Sequence, residues 1–501
     1  MKHLCPARLR RRAGASQSHE RLAPAFAGRN PLSTGHAIIP RMYPSKNDVT
    51  VKRVALLAAA TASFAVTFMG SSVNIALPTI AREFSLDAVT LSWVTISYIL
   101  AAAMFLIPFG RIADIHGRKR VFQYGMGLYT LSCLLAAIAP SATLLICSRV
   151  LQGMGGAMIF GTSVAILTSV FPASERGRAL GVSVAATYIG LSTGPFLGGL
   201  ITQHFGWRGV FLATVPLGLT VIIAVLRRLR GEWAEARGEK FDRTGSIVYS
   251  LALVALMYGV SLLPAAWGVT LILLGVTGVL VFIRWETRVK SPALNVSLFK
   301  DNPAFLFSNL AALINYSATY AVGFLLSLYL QYIRGFSPEH AGLIMVSQPI
   351  VMAAFSPIAG RLSDRIEPRL IASGGMALTA AGLVLLTFLN EETGIELIIL
   401  SLITLGLGFA FFSSPNTNAV MSSVENKFYG VASGTLGTMR LTGQMFSMGL
   451  VMLLLALYIG QAQITPEYYP LFQRTFKTAF TIFAALCSAG IVASLARGKI
   501  R

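Results

Sequence analysis

From Val54 onward the chain alternates long apolar runs with short polar breaks. The runs lie near 54–78, 89–109, 121–139, 142–170, 180–201, 209–226, 246–263, 268–284, 303–332, 341–359, 370–389, 396–415, 430–459 and 476–495. Most are about 17–25 residues long, the length a helix needs to cross the hydrocarbon core of a bilayer. The longest are expected to tilt or to project beyond it. The pattern predicts an all-α membrane protein of about fourteen transmembrane helices.

One break stands out. GRIADIHGRKR runs from Gly110 to Arg120, and a shortened copy, GRLSDRIEPR, begins at Gly360. The copies join the second and third runs of the first six and of the last six. An internal repeat of this kind suggests two pseudo-symmetric halves with a site between them. The organisation reads 6+2+6: a tail over 1–53, a first half over 54–226, basic loops and an extra helix pair over 227–300, a second half over 301–495, and a short end over 496–501.

Charge strengthens that reading and supplies an orientation. The chain is 54% hydrophobic and only 12% charged, with Lys+Arg 41 against Asp+Glu 20. A soluble protein this basic would suggest a nucleic-acid partner. Here the excess sits in the tail and in alternate breaks, as cytoplasmic retention requires. The other set of breaks holds only Arg82, Arg208, Arg334, Arg474 and Lys477. Both termini are therefore expected in the cytoplasm, with the protein spanning the plasma membrane and the lipid bilayer as its main partner. Nucleic acid is not expected as one.

The tail is rich in Arg, Ser, Pro and Ala, with Glu20 and Asp48 as its acids. It has no apolar core segment and is not a secretory signal. It loosely resembles a transit peptide, but is read instead as a disordered tail, or as sequence preceding a natural start at Met42. Cys5, Cys133, Cys147 and Cys487, with His3, His19, His36, His116, His204 and His340, show no ligand spacing. No disulfide framework, metal site or cofactor is expected.

Ionisable groups inside a membrane are costly and are candidates for function. Arg149 lies well inside the fourth run, in LLICSRVLQGMGGA, with Gln152 and Gly153 on its helix face. It either faces a watery path, as a coupling or pathway residue, or holds helices together. Arg440, in ASGTLGTMRLTGQMFSMG, poses the same choice. In GLSTGPFLGG, Gly190, Gly194 and Gly198 recur every four residues. With Gly199 and the kinking Pro195 they suggest a close-packed hinge. A dinucleotide reading of these glycines fails, because no strand precedes them. In the Gly110 loop, Asp114 is surrounded by Arg111, Arg118, Lys119 and Arg120, with Gly117 at the turn. The copy offers Asp364 with Arg361 and Arg365. The pair of loops reads as a conformational latch whose charges pair in one state and part in the other. Asn74, Asn309, Asn315, Tyr316, Tyr320, Gln348, Asn416 and Gln444 are polar residues that could line a cavity or bond between helices.

These motifs, in order and at matching runs, resemble the major facilitator superfamily over nearly everything after about residue 50. The Gly110 loop, the Arg149 segment and the Gly190 segment resemble its signatures. SSVNIALPTIA, SWVTISYIL, GWRGVF and the Arg440 segment resemble its fourteen-span drug–proton antiporter branch. The resemblance implies a secondary transporter that exports amphipathic small molecules or drugs by alternating access, with protons as coupling ion. One departure matters. That branch carries an aspartate in its first span, where this chain has Phe68, Met69, Gly70 and Ser71. A buried carboxylate is the usual proton carrier, since desolvation raises its pKa toward neutrality. Two alternatives therefore stay open: an importer or facilitator of a small organic anion, and a membrane sensor that does not transport. No nucleophile–base pair or nucleotide loop suggests an enzyme. The substrate and the oligomeric state are not readable.

Overall fold

The computed structural model describes residues 49–289, 299, 302–363, 365–425 and 429–498. Among them every regular element is helical. The first half comprises α1 (Val49–Phe84), α2 (Ala88–His116), α3 (Arg118–Ala137), α4 (Ala142–Val170) and α5 (Ala173–Arg228). The extra pair is α6 (Arg243–Ser261) and α7 (Ala266–Glu286). The second half comprises α8 (Pro303–Ile333), α9 (Pro338–Ser363), α10 (Pro368–Leu386), α11 (Ile395–Ser422), α12 (Tyr429–Tyr458) and α13 (Tyr469–Ala496).

By length and composition, twelve helices among the described residues can cross a membrane. Two of the fourteen runs are not counted separately among these twelve. Helix α3 is less apolar than the others. Helix α5 holds two limbs joined at Gly206, whose φ of 73° and ψ of 171° are not helical. Fourteen is reached only by counting α3 and both limbs separately.

The outer surface is greasy. Leu57, Phe205, Trp267 and Val492 expose between 66% and 78% of their surface. Large apolar side chains facing outward this freely suit hydrocarbon rather than water.

Within the first half, α1 lies against α5, and the sequence explains why the helices can approach. Ser72 Oγ donates to Gly194 O at 2.8 Å, and Thr67 Oγ1 donates to Thr187 O at 3.1 Å. Ser63 and Ser183 share a hydrogen bond of 3.2 Å between their hydroxyls. Gly190, Gly194 and Gly198 form the matching strip on α5. A Cβ at any of them would overlap α1 at Thr67, Ser71 or Ser72. Small residues let backbones close in, and the hydroxyls then find carbonyls across the gap.

This packing makes a prediction. Gly194→Val should cost about 1–3 kcal/mol through overpacking, read as a lower thermal midpoint in detergent. Gly181→Val, where a Cβ would meet nothing within 4 Å, should leave the midpoint unchanged. Equal midpoints for both variants would contradict a tight α1–α5 seam.

Candidate functional site

The halves are tied at one end of the bundle, the end away from the Gly110 loop. Ala88 N donates to Ala462 O at 3.0 Å, and Gln463 Nε2 donates to Ser85 O at 3.1 Å. Ser327 Oγ donates to Asn74 O at 2.6 Å, and Gln331 Nε2 donates to Ile75 O at 3.0 Å. Gly199 lies against the Pro338 carbonyl and Gly342 against the Pro195 carbonyl, so closely that a Cβ would overlap either. Asn74, Pro195 and Gly199 thus belong to the seal, whereas Gly190, Gly194 and Gly198 belong to the α1–α5 seam. Nearer the Gly110 end the halves also meet, since a Cβ on Gly437 of α12 would lie 3.4 Å from Leu106 Cδ2 of α2.

At the Gly110 loop the charge network includes Asp114 and extends beyond the loop. Arg118 Nε donates to Asp114 Oδ1 at 2.9 Å, and Arg118 NH1 donates to Glu235 Oε1 at 2.7 Å and to Ser169 Oγ at 2.8 Å. Arg111 pairs with Glu239. Lys119 N, in the first turn of α3, donates to Glu232 Oε1 at 2.9 Å. Backbone bonds from Arg118 N to Trp233 O and from Ala236 N to Asp114 O clamp the two segments together. Gly117 makes this possible. Its φ of 124° is unfavourable for other residues, and a Cβ there would overlap the Glu232 carboxylate. Gly110 has no neighbour within 4 Å of a Cβ position. In the shortened copy, Arg361 and Arg365 are exposed and their side chains have no partner among the described residues. Asp364 lies outside the described residues.

The two membrane arginines differ in their surroundings. Arg149 is 2% exposed, and its Nε donates to Val94 O at 3.0 Å. Its guanidinium also bonds the Gln152 side chain and lies 4.5 Å from the Tyr98 ring centroid. Gln152 Nε2 in turn donates to Cys133 Sγ at 3.0 Å. These partners are neutral and come from α2, α3 and α4, so Arg149 ties those helices. Beyond α13, Arg497 is 1% exposed and bonds Ser494 O at 2.8 Å. Burial pushes its pKa down to about 10, with the Glu367 charge acting against that.

Arg440 is different. Its guanidinium carbon lies 5.2 Å from the Tyr316 ring centroid, and its buried Nε has no hydrogen-bond partner. Among the described residues no carboxylate pairs with it. With Tyr316, Phe412, Ser413, Asn416 and Thr417 it lines a narrow crevice. Asn416 is 2% exposed; its Nδ2 donates to Ser308 O at 3.1 Å while its Oδ1 has no partner. Asn315, fully buried one residue from Tyr316, has neither amide atom partnered. Tyr188 of α5 comes within electrostatic reach of Arg440, Ser356 and Ser413, bringing the first half to this wall. Tyr320, one turn beyond Tyr316, lies correspondingly close to Arg149. The two arginines therefore flank α8 a turn apart, with Arg149 enclosed in protein and Arg440 facing a crevice.

Sequence reasoning missed Glu232, Glu235 and Glu239, because they lie in a segment that is basic overall. Their spacing of three and four residues was the available signal. It also missed Tyr188, although Tyr188 stands two residues before Gly190.

The family model described as Major Facilitator Superfamily matches residues 59–306 and 309–499. The riboflavin transporter RibZ of Clostridioides difficile (strain 630) is 30% identical over 380 residues, covering 75% of this chain and 82% of that protein. The cephamycin export protein CmcT of Amycolatopsis lactamdurans is 32% identical over 408 residues, covering 79% and 84%. The fold is similar to the crystal structure of a POT family transporter in complex with 5-aminolevulinic acid. The TM-score is 0.67 at 15% identity, covering 90% of this chain and 98% of that one.

The clamp over the Gly110 loop makes a second prediction. Gly117→Ala should loosen the 229–242 segment and raise tryptic cleavage after Arg230 and Arg237 severalfold. Glu235→Gln should do so to a smaller degree. Wild-type cleavage rates in both variants would show that other contacts hold the segment.

Proposed function

The chain belongs to the Major Facilitator Superfamily and is a membrane transporter of small molecules, and on that premise we propose that it exports amphipathic small molecules or drugs across the plasma membrane by alternating access. The observation that carries this reading is the seam between the halves. A few single hydrogen bonds cross it in a cluster at the end away from the Gly110 loop, as suits a contact that opens and closes when two halves rock. With the basic breaks in the cytoplasm, that cluster lies on the outer side. Export activity in the name of CmcT supports the direction.

Exchange for protons is supported by the Gly190 segment, which resembles that of proton-coupled exporters. The carboxylates available for it are peripheral. The described acids lie in loops or in the first or last turn of a helix. Asp114, bonded to Arg118, is then the coupling and latching acid, and its release would accompany rocking of the halves. A second reading has specific support: with an unpaired Arg440 and no acid in the core, the protein would be a facilitator or importer of a small organic anion.

Inside-out vesicles with an acid interior and a pH-sensitive dye separate these readings. Under antiport, an added substrate dissipates the gradient only when the protein is present. Asp114→Asn should abolish export while leaving membrane insertion at the wild-type level. Normal export by that variant would remove Asp114 from the mechanism. Labelled compound crossing without any proton signal would remove proton antiport.

A further inference from the structure

Resting on the export reading above, we infer that the second half holds the substrate by an anionic group, with Arg440 as its counter-charge and Asn416 and Ser413 beside it. The substrate class is then an amphipathic organic anion: an apolar or aromatic body bearing a carboxylate or a comparable oxyanion.

Four observations converge on this. Arg440 is a permanent cation with a buried, unpartnered Nε. It makes no ion pair with the described acids, which all lie at helix ends or in loops. The other arginine in a membrane span, Arg149, is answered by Val94 O, Gln152 and the Tyr98 ring, so of these two it is Arg440 whose guanidinium is left without a hydrogen bond. Asn416, 98% buried by its 2% exposure, lines the same crevice with an unpartnered Oδ1.

A guanidinium presents a planar fork that matches a carboxylate with two parallel hydrogen bonds. Asn416 Oδ1 can accept from a hydroxyl or amide adjacent to the anion, and Ser413 can do either. The apolar part of the ligand has Phe412 in the crevice wall and Phe409 close by, packed edge-on against Tyr316. The crevice, with about 170 Å³ of empty space, is too narrow to enclose a drug-sized molecule, so it serves the head group.

The assignment also bears on the absent core acid. A negative substrate leaving a negative interior is favoured about fifty-fold per 100 mV by the potential alone. A proton-carrying carboxylate in the core is then unnecessary for net export.

The test uses the full chain, purified and in inside-out vesicles, with dansylglycine and its methyl ester as matched probes. By binding fluorescence, the wild type should prefer the acid to the ester at least tenfold. Arg440→Gln should lose that preference while its affinity for the ester stays unchanged. Arg440→Lys, which keeps the charge without the fork, should retain part of it. Equal wild-type affinity for acid and ester, a comparison that needs no variant, would overturn the proposal; so would an undiminished preference in Arg440→Gln. Transport is scored separately. Transport of both probes without discrimination would sink the anion site and leave export standing. Discriminating binding without flux would leave the site standing and remove the export reading.

Discussion

Hydrocarbon offers no hydrogen bonds, so polar groups set among these helices have to be answered by one another. Much of the architecture follows from that constraint. The hydroxyls of Ser63, Thr67 and Ser72 are answered by α5, and this is what brings α1 and α5 together. Arg149 is answered by a carbonyl, an amide and a ring face drawn from helices that would otherwise meet only through apolar contacts. The described acids stay at helix ends. Around Arg440 and Asn416, polar atoms with no partner in the chain gather on one crevice wall, which is what the proposed anion site rests on.

The sites differ in how they relate to motion. The seal of Ala88, Ser85, Asn74 and Ile75 against the second half uses a few single hydrogen bonds, each individually weak in a membrane. The clamp on the Gly110 loop is larger and charge-assisted, yet it joins the first half to the segment that follows it rather than to the second half. The clamp therefore does not itself bridge the two halves. It occupies the charged faces of the loop.

Much of the fold was legible from the chain alone, and so was one face of the site. Runs of apolar residues reveal helices because bilayer thickness demands them. The Gly190, Gly194 and Gly198 strip was legible because a four-residue period places residues on one helix face. What could not be read was partnership. Nothing near Arg149 in sequence names Val94 or Tyr98, which lie more than fifty residues earlier, and nothing near Arg440 reveals that its Nε is left alone. Glu232, Glu235 and Glu239 were hidden by averaging: a segment with more arginines than acids reads as basic even when the acids make the contacts. The runs at 180–201 and 209–226 were read as distinct, and Gly206, with positive φ, separates two limbs between them.

The extra helix pair touches both sides of the seam. Tyr249 OH donates to Ala103 O at 3.3 Å and Ser250 Oγ to Met104 O at 3.4 Å, fixing α6 to α2. Against α12 it presents Met257, whose sulfur and methyl group lie over Gly449. Tyr249 also comes within hydrogen-bonding reach of Thr442 on α12. One phenol on α6 thus meets helices of both halves, which makes the inserted pair a shared buttress rather than an appendage of either.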